Sequence, residues 1–266
     1  MSILVSQLMV YPVKSLAGVS VDSAEITATG FAHDRAWMIV DANGIFLTQR
    51  QHPSMARIRP EVLPGMLRLT VPDAPALDVP VLDEGPLARV EVWEYRCNAV
   101  DQGESAAKLL SDFLGRSCRL VRMSAGFRRN LNPKYAVSPG VSMGFADSMP
   151  FLLTNESSLR DLNSRMADPV GMSRFRPNIV VAGSRAFEED HWRRVRIGPV
   201  AFRVVKSCIR CEITTVDQSS GVKGIEPLET LGTYRTGPKG VLFGRHLAHE
   251  SRGGVRVGDT VEVLEG

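Results

Sequence analysis

The chain has 266 residues, 44% hydrophobic and 23% charged, a balance that lets a globular protein bury a core and excludes a disordered or fibrous one. Its formal net charge of +3 does not indicate nucleic acid, whose backbone calls for a concentrated basic face. The N-terminal run MSILVSQLMVYPVKS lacks the basic and apolar segments of a signal peptide, and no window approaches the ~20 apolar residues that cross a bilayer. A soluble, cytoplasmic protein with no membrane partner is therefore expected, and in that compartment Cys97, Cys118, Cys208 and Cys211 are expected to be free thiols.

Sixteen Pro and twenty-three Gly are spread along the chain, which favours many short elements joined by turns: a mainly β protein with a few helices, of the α+β class. The first half reads as strands in ILVSQLMVYPV, SVDSAEITATG and RAWMIVDANGIFLTQR, the last bent at Asp41-Ala42-Asn43-Gly44 as a hairpin. Further strands are expected over Met66 to Val71 and Arg89 to Tyr95. The spacing predicts a helix over Glu104 to Leu114, with Asp101 and Glu104 at capping-box spacing and Gly115 as its stop. The composition then turns basic and loop-like through FRRNLNPKYAVSPG, which places a boundary near residue 125 and divides the chain into 1–125 and 126–266. A second helix is expected over Glu156 to Met166, strands in PNIVVAG, VRIGPVAFRVV and EITTV, a short helix after Glu226-Pro227, and a closing strand in GDTVEVLE.

The only Cys pair at metal-ligand spacing is Cys208-Ile209-Arg210-Cys211. A structural zinc site needs four ligands and no second pair completes one. A thioredoxin-type pair opens a helix, whereas Cys211 runs into the β-branched stretch Ile213-Thr214-Thr215-Val216. Two readings stay open: one thiolate at a strand edge, made acidic by Arg210 and Lys206, or two ordinary buried thiols. Gly140-Val141-Ser142-Met143-Gly144 imitates a hydrolase nucleophile elbow, with Asp161 and His191 or His246 as partners, but Pro139 and Pro150 flank it where a strand and a long helix are required. Lys14, Ser15 and Arg35 stand at strand ends and suit an anion, although from the residues alone a solvated Lys and an Arg35–Asp34 pair are the favoured reading. Arg176, just before the apolar run IVVAG, calls for a dedicated partner. The groups Arg119, Arg122, Arg128, Arg129 and Arg193, Arg194, Arg196 read first as solvated faces.

Taken in order, YPVKSLAGVSVDSAEITATGFAHDRAWMIVDANGIFLTQR, FADSMPFLLTNESSLRDLNSRM, FRPNIVVAG, CIRCEITTVDQSSGVKGIEPLETLGTYR and VGDTVEVLEG resemble the MOSC family. The likeness covers nearly the whole chain and is to the branch with its own N-terminal β domain, which includes the mitochondrial amidoxime reducing component and its bacterial relatives. The resemblance implies a MOSC β-barrel domain behind an N-terminal β domain, with a molybdenum cofactor held between them. By position it makes Cys211 the metal ligand, and Lys14, Ser15, Arg35 and Arg176 cofactor-binding residues, joined by Ser207 or Cys208. Asn155, Ser157 and Thr215 are further candidates. The implied activity is reduction of N-hydroxylated compounds, such as amidoximes and N-hydroxy bases, by removal of oxygen from nitrogen. The chain lacks a ferredoxin-type cysteine set, so the resemblance implies a separate electron donor, ferredoxin-like or a flavin reductase. The alternative it leaves is a non-catalytic cofactor carrier or sulfur-relay module.

Overall fold

Extended segments rich in Val, Ile and Leu dominate the computed structural model, which describes residues 2–137 and 140–266. The expected class is correct: mainly β, with three α-helices among the described residues. The largest sheet runs in the order Val261–Glu265, Arg194–Ile197, Val200–Ile209, Gly240–His249, Phe151–Asn155, Ile179–Ala182, Leu4–Val10 and Val19–Val21. The first strand of the chain thus lies in a sheet otherwise made mostly by the second half. Leu4 stands opposite Ala182 and Leu8 opposite Ile179. That register is fixed by burial: Val5 and Leu8 face Phe151, Ile179, Val181, Phe202 and Leu247 in one apolar cluster, and a one-residue slip would turn them to solvent. Near the end, Gly254–Arg256 returns to pair with Ser23–Thr27.

A second sheet has the order Trp37–Asp41, Cys118–Met123, Tyr95–Asp101 and Leu87–Val92. Trp37 and Ile39 pack on one of its sides with Leu110 and Leu120. Met38 and Val40 pack on the other with Val121, Phe127 and Phe145. Both sides are covered, which is why WMIV is apolar without alternation. A small sheet of Arg59–Leu63, Met66–Thr70 and Leu77–Pro80 completes the first half.

The helix over Glu104–Leu114 forms as expected and stops at Gly115 in the left-handed conformation. Its capping box does not form: the helix starts at Glu104 with Gly103 as the N-cap, Asp101 accepts from the Gly103 backbone at 2.8 Å, and Arg119 pairs with Asp101 and, at 2.8 Å, with Glu104. The second helix covers Glu156–Asn163 and the third Leu228–Tyr234. At the turn after Trp37–Asp41, the Asp41 carboxylate accepts from the backbone of Asn43 and Ile45 at 2.9 Å. Gly44 there has φ +78°, and a Cβ would stand 2.3 Å from the Arg89 carbonyl. The second arm pairs back on the first through the Val40–Phe46 bridge, with Asp41 N donating to Ile45 O at 2.9 Å and Leu47 N to Ile39 O at 2.8 Å, so the expected hairpin forms with a short second arm.

Two strand expectations fail near the site. Arg89 to Tyr95 is not one strand: it breaks at Trp93, which has φ +56°, and becomes the turn between Leu87–Val92 and Tyr95–Asp101. EITTV is not a strand either, since Glu212–Thr215 is a 3-10 helix. The hydroxyls of Thr214 and Thr215 donate to the carbonyls of Cys211 and Glu212 at 2.9 and 2.8 Å, so local side-chain bonds outweigh the β preference of these residues.

Candidate functional site

A cavity of about 210 Å³ opens where the two halves of the chain meet. Lys14, Ser15, Arg35, Arg50 and Trp93 reach it from the first half; Asp147, Arg176, Cys208, Arg210, Cys211 and His246 reach it from the second. Seven non-glycine residues have positive φ among those described, and four of them, Ser15, Arg35, Trp93 and Arg176, line this cavity. Left-handed backbone at such residues costs roughly 1–3 kcal/mol each and persists where the surroundings impose it, most often at functional sites.

Cys211 leaves the strand Val200–Ile209 and stands at the entry of the 3-10 helix. Its Sγ accepts a hydrogen bond from Arg50 Nη2 at 3.3 Å. The same nitrogen donates to Asp147 Oδ2 at 3.2 Å. Asp147 is also paired with Lys14, which donates to the Phe145 carbonyl at 2.9 Å. Burial alone would raise the Asp147 carboxyl, but Lys14 and Arg50 hold it well below the usual carboxylate range. Burial lowers Lys14, with Asp147 opposing.

Cys208 shares the cavity and has a different setting. Burial would push its thiol up, yet Arg210 Nη1 at 2.9 Å and the neighbouring His246 bring it down to about 6. The acidifying role expected of Arg210 therefore falls on Cys208. Lys206 lies over the Tyr135 ring at 4.5 Å and does not line the cavity.

A stack of cations forms a second wall. Arg35 and Arg176 both lie over the Tyr11 ring, 4.2 and 4.3 Å from its centroid. Arg35 donates to Asp34 at 2.5 Å and to Asn178 at 3.1 Å, so its pairing with Asp34 and its place in the cavity hold together. Asp34 in turn accepts from the Tyr11 backbone N–H at 2.8 Å. The partner that Arg176 called for is the Leu16 carbonyl, 2.7 Å away, with burial lowering the guanidinium to about 10. Burial also raises the Tyr11 phenol to about 12.

Six of the seven sequence candidates, Lys14, Ser15, Arg35, Arg176, Cys208 and Cys211, line this one cavity. Ser207 does not: its hydroxyl accepts from Arg245 at 2.6 Å, while Cys208 beside it lines the cavity. Asn155, Ser157 and Thr215 also lie outside the lining. Asn155 caps the helix Glu156–Asn163 instead, accepting from Ser157 N at 2.9 Å. Arg50, Trp93 and Asp147 are not singled out in the sequence, where nothing local separates them from other charged or aromatic side chains; Arg210 reads there only as a neighbour of the cysteine pair and His246 only as a hydrolase partner, and both line the cavity. The hydrolase alternative is not assembled. Asp161 is bound by Arg165 at 3.0 Å, His191 is exposed, and Ser142 is held by its backbone to Ala28. Pro139, one argument against it, lies outside the described residues.

The lining carries five cations, Lys14, Arg35, Arg50, Arg176 and Arg210, against the single carboxylate of Asp147. Arg50 Nη1, Arg210 Nε and the Tyr11 hydroxyl are buried without a hydrogen-bond partner. Such a wall suits an anion with several oxygen acceptors. No group of three or more His, Cys, Asp or Glu that could hold a metal ion occurs among the described residues. A metal beside Cys211 would thus draw most of its ligands from the bound molecule, and it would be one that favours sulfur.

Residues 2–117 match the MOSC N-terminal beta barrel domain and residues 141–262 the MOSC domain. The chain is 37% identical to mitochondrial amidoxime-reducing component 1 of Mus musculus over 98% of this chain and 82% of that protein, and 35% identical to its Homo sapiens counterpart over the same shares. It is 32% identical to the molybdenum cofactor sulfurase of Danio rerio over 92% of this chain, covering 32% of that protein. Among solved structures, the YUAD protein from Bacillus subtilis superimposes with a TM-score of 0.42 at 11% identity, over 98% of this chain and 94% of that one. The two domain matches in order, with full-length relatives above 30% identity, establish that the chain belongs to the MOSC family, in the branch that carries an N-terminal MOSC β-barrel domain.

Proposed function

We propose that this protein is a molybdenum-cofactor-dependent reductase of N-hydroxylated compounds, with Cys211 as the protein ligand to the metal. The observation that carries the reading is the Cys211 sulfur at the edge of a cation-lined cavity, with Arg50 3.3 Å away. The donor set fits the cofactor. A soft thiolate suits a metal already bound by dithiolene sulfur. The cations, with unpartnered donors on Arg50 and Arg210, suit a pterin and its phosphate. Relatives named amidoxime-reducing components along almost the whole chain support the substrate class.

When bound, the cofactor supplies a two-electron couple: an N-hydroxy group takes up two electrons and two protons and yields N–H and water. The chain supplies position and field. Arg50 donates to the Cys211 sulfur and would place a positive charge beside it when it holds the metal, and Asp147 fixes Arg50 and Lys14 in place. Arg35 and Arg176, locked over Tyr11, offset anionic charge from two sides of the halves' junction. The electrons come from a separate donor protein, ferredoxin-like or a flavin reductase. We assign residues 1–125 and 126–266 to the two domain units.

The test is metal and pterin analysis of the purified protein, with reduction of an amidoxime by a chemical donor. One molybdenum per chain and turnover are expected. Cys211→Ser should lose turnover in a folded protein, while Cys208→Ser should be milder. Full activity in Cys211→Ser would overturn the ligand assignment. Likeness to molybdenum cofactor sulfurases favours a second reading, a cofactor carrier or sulfur-relay module, which bound molybdenum without turnover under every donor would select.

A further inference from the structure

Trp93 is an unusual residue for its position. It occupies the turn between Leu87–Val92 and Tyr95–Asp101 with φ +56°, where a glycine or asparagine would sit without strain. Its side chain is 41% exposed, although the other two tryptophans, Trp37 and Trp192, are buried. An indole left this exposed on a strained turn is not held there by core burial alone. The surroundings nevertheless fix it: its Nε1 donates to Asp147 at 3.2 Å, and the Arg50 guanidinium lies 5.0 Å from its ring. Phe46 contacts it in a tilted arrangement at 5.1 Å.

This places the indole one guanidinium away from the Cys211 sulfur, since Arg50 touches both. Of the large hydrophobic side chains that line the cavity, Trp93 and Ile209 are the exposed ones, Ile209 at 47%; they mark where the cavity meets solvent. The interior is cationic and accounted for by an anionic cofactor, so the free apolar surface lies at the opening. A flat ring is held there by aromatic stacking, which adds to simple area burial.

Resting on the reductase reading above, we infer that Trp93 is a substrate-recognition residue: its exposed indole stacks the aryl group of an aromatic N-hydroxylated substrate while the N–OH group points toward Cys211. Ile209 adds apolar contact at the same opening. The site then favours aryl over alkyl substrates of the same reducible group. The Asp147 bond and the strained turn keep the ring in place before substrate arrives, which lowers the ordering cost of binding.

The test compares benzamidoxime with acetamidoxime on the molybdenum-loaded protein. Trp93→Ala and Trp93→Leu should lower the aryl-to-alkyl ratio of kcat/KM about 3- to 10-fold, through KM for the aryl substrate, the range expected for a lost aromatic pair. Trp93→Phe should keep most of the ratio, because it keeps a ring and gives up only the bond to Asp147. Binding gives a readout independent of turnover. Trp93 is the solvent-exposed indole, so benzamidoxime without reductant should protect the protein's fluorescence from acrylamide, and acetamidoxime should not. An unchanged ratio in Trp93→Ala, equal losses on both substrates, or fluorescence indifferent to benzamidoxime would overturn the inference. If neither substrate turns over, the reductase reading fails, and the quenching result still decides whether Trp93 stacks an aryl group.

Discussion

Arg50 holds the Cys211 sulfur and Asp147 holds Arg50, although the two lie 161 and 64 residues away from Cys211 in the chain. Lys14, Arg35 and Arg176 are singled out in the sequence; Arg50 and Asp147 also lie in the segments that carry the family resemblance, but their link to Cys211 shows only when the halves meet. Tyr11 shows how finely the wall is set. Its hydroxyl is buried without a partner and its ring carries two guanidiniums. Tyr11→Phe, which removes an orphaned polar group, should therefore change stability by no more than about 1 kcal/mol and leave cofactor content intact. Tyr11→Leu, which removes the π face, should lose about 0.5–2 kcal/mol for each cation, read as lower pterin retention after gel filtration. Equal retention in the two variants would show that the ring does not organise the cations. His249 supplies a test of pH. It is 3% exposed, and burial, then Arg252, lowers its pKa to about 4. The unfolded chain binds a proton near pH 6.5 that the folded chain refuses until about 4, so stability is full above 6.5 and falls as pH drops toward 4. The loss is at most about 3 kcal/mol. Urea midpoints at pH 7 and 4.5 should differ less for His249→Phe, which keeps the edge contact with Phe151; an identical difference would assign the acid sensitivity elsewhere.

Elements with a strong local pattern formed where the sequence placed them. Glu104–Leu114 has one apolar face and a glycine stop, and Ile179–Ala182 and Val261–Glu265 are β-branched runs between turn residues. Elements whose form depends on side-chain bonds to the backbone did not. The β-branched Ile213-Thr214-Thr215 was legible as a strand, but two threonine hydroxyls turn it into a 3-10 helix. Asp101 and Glu104 had capping-box spacing, but the helix starts at Glu104 itself, with Gly103 as the N-cap, and Arg119 pairs with both acids. Asn155 makes the opposite point, since its capping role was readable from sequence and its burial was not. Besides accepting from Ser157 N, its amide donates to Glu189 at 3.0 Å and to the Arg185 carbonyl at 2.7 Å, with all of these interactions at a fully buried residue. Asn155→Ala removes a cap and leaves the buried Glu189 carboxylate with Ser158 as its remaining side-chain donor. The expected cost is about 2–4 kcal/mol, a cap plus a deserted buried acceptor. Chemical denaturation measures it; a loss below about 0.5 kcal/mol would mean that the network relaxes without penalty.

At the scale of the molecule, sequence units and structural units do not coincide. The domain matches end at residue 117 and resume at 141, which suggests that the chain could be cut between them. Two strands cross that division in opposite directions: Leu4–Val10 joins Ile179–Ala182, and Gly254–Arg256 joins Ser23–Thr27. Each carries buried residues, with Val5, Leu8, Ile26 and Val255 all in the cluster centred on Phe151 and Leu247. A fragment of residues 126–266 would therefore expose the edge of Ile179–Ala182 and lose the five core side chains Val5, Leu8, Val10, Ile26 and Phe31, at about 1.5–3 kcal/mol for each well-buried one. That total approaches or exceeds the 5–15 kcal/mol that keeps an ordinary domain folded. Neither 1–125 nor 126–266 expressed alone should show cooperative unfolding, and mixing the two should restore it by strand exchange at the shared sheet. Cofactor retention should follow the mixture, because Lys14, Arg35 and Arg50 come from one fragment and Arg176, Arg210 and Cys211 from the other. Circular dichroism melts of each fragment and of the equimolar mixture, with molybdenum content measured on all three, decide the matter. A cooperative melt of 126–266 alone at the full-chain midpoint, with molybdenum bound, would show that the second unit holds its fold and its site without the first.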